Sequence, residues 1–258
     1  MKAIWKGAIS FGLVNIPVKL YSATQQSSLD LDMIDPRDRS HIKFKRVNEQ
    51  TGKEVPWEHI AKAYRLKDDY ILLDPEDFEA AAPEKSKIIQ VDHFVDESEI
   101  DTIFFENAYY LEPEKSGVKA YALLREALAK SKKVGVAQFV LRTAETLTVL
   151  KPRGNVLVLN KIRFSQEIRT TDELKLPAAS EVKPAELKMA LALIKQYTTS
   201  FSIGQFKDEY AASLLKIIKA KAKGKKSKVP TLKVVHSKSK DLMAQLKASL
   251  EKSKSKAS

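Results

Sequence analysis

Lys43, Lys45 and Arg46 lie close together in the run His41-Ile42-Lys43-Phe44-Lys45-Arg46-Val47, and the chemistry open to them is electrostatic. Residues two apart on a strand share a face, so the run predicts Lys43 and Lys45 opposite Ile42 and Phe44, with Arg46 following. Such a row suits a phosphate backbone, because every step of DNA presents the same charge whatever its sequence. The plainer alternative is a solvated lysine face on an exposed strand. Lys132, Lys133, Arg142, Lys151 and Arg153 gather at predicted hairpin ends and are candidates for the same contact. Trp5 and Trp57 have the rings to stack on bases, but their apolar neighbours favour packing.

Catalytic and metal chemistry finds no comparable set. There is no G-x-x-x-x-G-K-S/T loop and no Gly-rich dinucleotide turn. His41, His59, His93 and His236 are scattered without ligand spacing. Asp68 and Asp69 are neighbours before a strand and would point to opposite faces. The chain has no cysteine, which excludes disulfides, thiol nucleophiles and cysteine-zinc sites. No catalytic residue, metal ligand or cofactor is assigned, and no enzyme activity is expected.

The charge is unevenly spread. Lys216 to Ser258 holds 14 lysines against Asp241 and Glu251, which accounts for the whole net charge of +12. Met1 to Leu215 is neutral, but Asp68 to Glu106 carries 13 acids against Lys85 and Lys87. A basic surface turned towards a polyanion, with the acidic stretch turned away, is the layout of a nucleic-acid binder. No apolar run reaches the ~20 residues of a membrane span, and the N-terminus has no apolar core of a signal peptide. The expected setting is soluble and cytoplasmic, with no membrane partner.

The elements that would position these charges read mainly as strands. Val14, Ile16, Val18 and Leu20 alternate on one face of Val14–Tyr21, with Pro17 on the other. Leu29, Leu31 and Met33 alternate with acids, and Tyr70–Leu73 reads as a buried type of strand. Ile88–Val95, Ala108–Leu111, Val134–Leu141, Thr146–Leu150 and Val156–Arg163 follow, the last two joined by a turn at Pro152-Arg153-Gly154-Asn155. Short helices are predicted at Pro56–Ala61 and from Asp74. A longer one at Val118–Lys130 has the stripe Ala120, Leu124, Ala127 and Leu128. Strands closing in hairpins favour a barrel-like β core. Helices then begin at Pro184, with Leu187, Leu191 and Ile194 as one stripe, and at Asp208. The second carries Tyr210, Leu214 and Ile217 on one side, with Lys216, Lys219 and Lys223 on another. Lys225, Lys226 and Lys228 continue this row as solvated linker, and all six lysines are candidates for contact with DNA. Asp241–Leu250 reads as a short amphipathic helix with a stripe of Leu242, Leu246 and Leu250, and Met243 beside it, suited to a partner's groove.

Several segments together resemble the bacterial Ku proteins, DNA-end-binding factors of non-homologous end joining. They are Ala3–Thr24, His41–Val47, Tyr109–Leu111, Lys119–Leu128, Leu150–Gly154 and Asp241–Leu250. The resemblance implies a mainly β fold with α: a Ku-type β-barrel core with a DNA-encircling bridge (1–170), a helical C-terminal region (171–223) and a Lys-rich tail (224–258). It further implies a homodimer that encircles double-stranded DNA ends, has no catalytic activity and recruits an ATP-dependent DNA ligase. The sequence lacks cysteines near Lys43, so a metal-supported form of that hairpin is not expected. The alternative is a general nucleoid-type protein binding DNA through its lysine tail alone; a pure interaction adaptor is a third reading.

Overall fold

The computed structural model describes residues 1–26, 28–81, 87–142, 144–178, 182–225, 245, 246 and 249. The alternation after Val14 becomes strand β2 (Val14–Ser22), whose Ile16, Val18 and Leu20 are fully buried. β2 turns back on β1 (Trp5–Phe11) through Gly12, which has φ +56°, a conformation that favours glycine. Five further strands complete a closed barrel. They are β5 (Ile88–Asp96), β6 (Phe105–Pro113), β7 (Lys133–Leu141), β8 (Ala144–Arg153) and β9 (Val156–Ile162), in the order β1-β2-β6-β9-β8-β7-β5. Every neighbouring pair is antiparallel except β1 and β5, which close the ring in parallel through Ala8, Ile9 and Ser10. Closure removes the open edges that an antiparallel sheet otherwise leaves.

Helix α2 (Val118–Ser131) packs on the barrel with Tyr121, Leu124 and Leu128 buried. This alters the predicted stripe. Ala127 is exposed, and Tyr121 takes the inner place. Its hydroxyl donates to the Leu111 carbonyl at 2.7 Å and accepts from the Leu157 N–H at 2.6 Å. Leu111 and Leu157 face each other across β6 and β9, so the phenol ties both strands to the helix. Burial raises its pKa and keeps it neutral. Tyr121→Phe should strand a buried donor and acceptor and cost about 1–3 kcal/mol. A shift in the denaturation midpoint is the readout; an unshifted midpoint would make the bridge dispensable.

Between β2 and β5 the chain makes a long excursion. It contains the hairpin of β3 (Lys62–Leu66) and β4 (Asp69–Leu73) and the helix α1 (Pro75–Ala81). Asp74 Oδ1 accepts from the N–H groups of Glu76 and Asp77, which realises the expected cap. Two expectations fail here. Leu29–Met33 forms no strand, since only Ile34 makes an isolated bridge, to His41. Tyr70–Leu73 is indeed extended, but in a two-stranded sheet with no third layer. Tyr70, Ile71 and Leu72 are exposed accordingly.

The chain divides into two compact units: Met1–Gln26 with Leu31–Arg169, and Ser27–Asp30 with Thr170–Ser258. The second contains α3 (Pro184–Tyr197) and α4 (Glu209–Ala222). Asp208 caps α4 by accepting from the N–H groups of Tyr210 and Ala211. Neither helix has a buried residue, so Leu187, Leu191 and Ile194 form a stripe without a core.

Candidate nucleic-acid interface

The predicted lysine strand is not a strand. Residues 42–46 lie between two isolated bridges, Ile34 to His41 and Val47 to Glu54, and have no ladder partner of their own. The expected apolar face is therefore absent: Ile42 is exposed, and Phe44 is 79% exposed.

What orders this segment is a tight loop. Asn48 Oδ1 accepts from the N–H groups of Gln50 and Thr51, and Gly52 turns the chain at φ +66°. The Val55 N–H then donates to the Arg46 carbonyl at 2.9 Å. Within it the three candidates fare differently. Lys43 is exposed and forms no ion pair among the described residues. Lys45 donates to Glu54 at 2.6 Å, a bond that holds its ammonium pKa above the ordinary value. Arg46 lies 4.5 Å over the ring of Trp57. Trp57 is 70% exposed rather than packed in a core, whereas Trp5 meets Phe139 edge to face at 5.3 Å.

The second group divides as well. Lys133 is bonded to Asp96 at 2.7 Å, and Lys151 to Glu97 at 2.6 Å while lying over Phe105. These two lysines tie the acidic end of β5 to the barrel. Exposed charge pairs of this kind contribute at most ~1 kcal/mol, so phosphate could displace the acids at small cost. Lys132, Arg142 and Arg153 are exposed and unpaired among the described residues. Lys132 and Arg142 have φ +58° and +64° at the two ends of β7, where they end α2 and begin the turn into β8. Lys216, Lys219, Lys223 and Lys225 are all exposed, the first three on or capping α4. Lys226, Lys228, Leu242, Met243 and Leu250 lie outside the described residues; Leu246 is helical and partly buried.

Sequence reading passed over one basic pair. Lys161 and Arg163 both reach Glu106, at 2.8 and 3.1 Å, and the Lys161 bond lowers the carboxyl pKa. Arg163 also donates to the carbonyls of Ile103 and Phe105, a buttress for the start of β6 rather than an open cation. Among the described residues no group of three or more His, Asp or Glu side chains is placed to hold a metal. No described helix is long and apolar enough to cross a membrane.

Comparison with known proteins places these elements in context. The family model of the Ku70/Ku80 beta-barrel domain matches residues 10–189. The Non-homologous end joining protein Ku of Coxiella burnetii is 38% identical over 227 residues, covering 86% of this chain and 83% of that protein. The protein of the same name from Archaeoglobus fulgidus is 37% identical over 256 residues, 97% of this chain and 99% of that one. The one from Pseudomonas aeruginosa is 39% identical over 225 residues, 86% and 77% of the two chains. Among solved structures, the SPOC domain of human PHD-finger protein 3 has a TM-score of 0.33 and 15% identity. The likeness covers 63% of this chain and 97% of that one.

Proposed function

The chain belongs to the Ku family, and from that premise we propose that it binds double-stranded DNA ends without sequence preference in non-homologous end joining. The observation that carries this reading is the match to proteins of that name along nearly the whole chain. The charge distribution supports it. Exposed cations at Lys43, Arg46, Lys132, Arg142, Arg153 and along α4 offer contacts to phosphate, which are alike at every step of the duplex. The role is binding without catalysis, in the cytoplasm on the bacterial chromosome. The sequence divides in this reading into barrel and bridge (1–170), helical region (171–223) and tail (224–258).

The binding form is a homodimer whose two bridges enclose the duplex. Support for it comes from the β3–β4 sheet. Tyr64, Leu66 and Ile71 share one face, and Tyr70 and Leu72 share the other, all of them exposed. Isolated two-stranded hairpins are marginal in water, so this sheet calls for a cover, and the second subunit's bridge supplies it. Recruitment of an ATP-dependent DNA ligase is assigned to the C-terminal region, where α3 and the stripe around Leu246 are candidate docking surfaces.

A ring must load from an end. Linear duplex should therefore compete for binding far better than covalently closed circular DNA of equal mass, as measured by gel shift in moderate salt. Equal competition would remove the ring and favour nucleoid-type binding through the lysine tail.

A further inference from the structure

Arg46, like Lys62 over Phe78, has its charge held over an aromatic ring, and unlike a lysine it presents a planar fork of N–H groups. The loop closed by Asn48 and Gly52 brings residues 46 and 55 together. Pro56 then opens a short 3-10 turn, Trp57–His59, in which the His59 N–H donates to the Pro56 carbonyl and the Ile60 N–H to the Trp57 carbonyl. Two short backbone devices thus set Trp57 under Arg46, with 4.5 Å from guanidinium carbon to ring centroid. The ring holds the guanidinium while leaving its N–H groups without an ion pair among the described residues. Lys45, one residue earlier, is instead bonded to Glu54.

A guanidinium held by a ring loses less side-chain freedom when it binds, and its parallel N–H groups match the spacing of two phosphate oxygens. We propose that Arg46 and Trp57 form a preorganised phosphodiester fork, in which Arg46 contacts the DNA backbone and Trp57 is the positioning residue. This rests on the reading of the protein as a DNA-end binder and names one place where that binding occurs. Trp57 acts through Arg46 and reads no base, so the site is blind to sequence.

The test is a double-mutant cycle on the full chain, with binding to a linear blunt duplex measured across a salt series. Arg46→Ala should weaken binding to every duplex sequence alike and reduce the slope of log K against log salt by about 0.9 for each fork engaged. Trp57→Ala keeps the charge and so the slope. It should weaken binding about 2- to 10-fold, the cost of ordering one long side chain on binding once the ring no longer holds it. In the Arg46→Ala background that loss should vanish. A loss that persists without Arg46 would show Trp57 acting by another route and overturn the fork, as would a slope unmoved by Arg46→Ala. Should Trp57→Ala not fold, Arg46→Lys carries the test: the charge and the slope stay, the planar fork goes, and affinity falls. Arg46→Lys binding as tightly as wild type overturns the proposal. Failure of the underlying reading is distinct, since the wild-type chain would then not bind linear duplex at all.

Discussion

In the proposed homodimer, replacing Tyr64 and Ile71 together by aspartate should leave a monomer and abolish stable retention on linear DNA. The two residues are direct partners across β3 and β4, on the face that also carries Leu66. If the second subunit covers this face, burial of each side chain stabilises the dimer by about 1.5–3 kcal/mol. Aspartate removes that and leaves carboxylates to be desolvated. A combined loss of about 5 kcal/mol weakens association by more than three orders of magnitude. The barrel should be unaffected, since neither side chain is buried in the single chain. Sedimentation and the denaturation midpoint separate the two effects. A double variant that remains dimeric would show that this sheet is not the interface.

The second large effect is expected at the barrel's seam. Gly7 sits on β1 where β5 arrives, and a Cβ added there would collide with the Lys87 carbonyl oxygen and the indole of Trp5. Neither neighbour can readily move. The Lys87 carbonyl accepts from the Ala8 N–H at 2.9 Å, and Trp5 is set against Phe139. Gly7→Ala should therefore force β1 and β5 apart and cost about 3 kcal/mol or more. The midpoint temperature should fall by roughly 6–12 °C. A variant as stable as wild type would mean that the seam tolerates a shift its hydrogen bonding does not suggest.

These two sites also mark where sequence reading succeeded and where it ran out. β2, β5 and the β8–β9 hairpin were legible because alternation and the Gly154 turn are local signals. β1 was not. Gly7 breaks its pattern, and its placement depends on β5, some eighty residues later. β3 was missed, and β4 was read as a strand but of a buried type: among the described residues no further layer covers the pair, so apolar residues there do not mark a core. The helix stripe was right at Leu124 and Leu128, but the hydroxyl partners that select Tyr121 come from β6 and β9. Among the basic candidates, residue type was readable and partnership was not. Glu54 lies nine residues from Lys45, and Glu97 lies 54 from Lys151. Only folding shows which lysines are already paired, and nothing in the spacing from Arg46 to Trp57 announces a stacked pair.

The parallel seam between β1 and β5 has a kinetic meaning. Its three residue pairs join segments separated by the whole excursion, so the barrel cannot close until that excursion has folded back on itself. Closure of this kind raises contact order and slows folding. Yet the entropy of closing a loop grows only with the logarithm of its length, by about 0.6 kcal/mol per doubling. A longer or shorter bridge would therefore alter the stability of the barrel very little. The aperture of the proposed ring is free to vary by insertion and deletion, with most of the penalty falling on the rate at which the barrel closes.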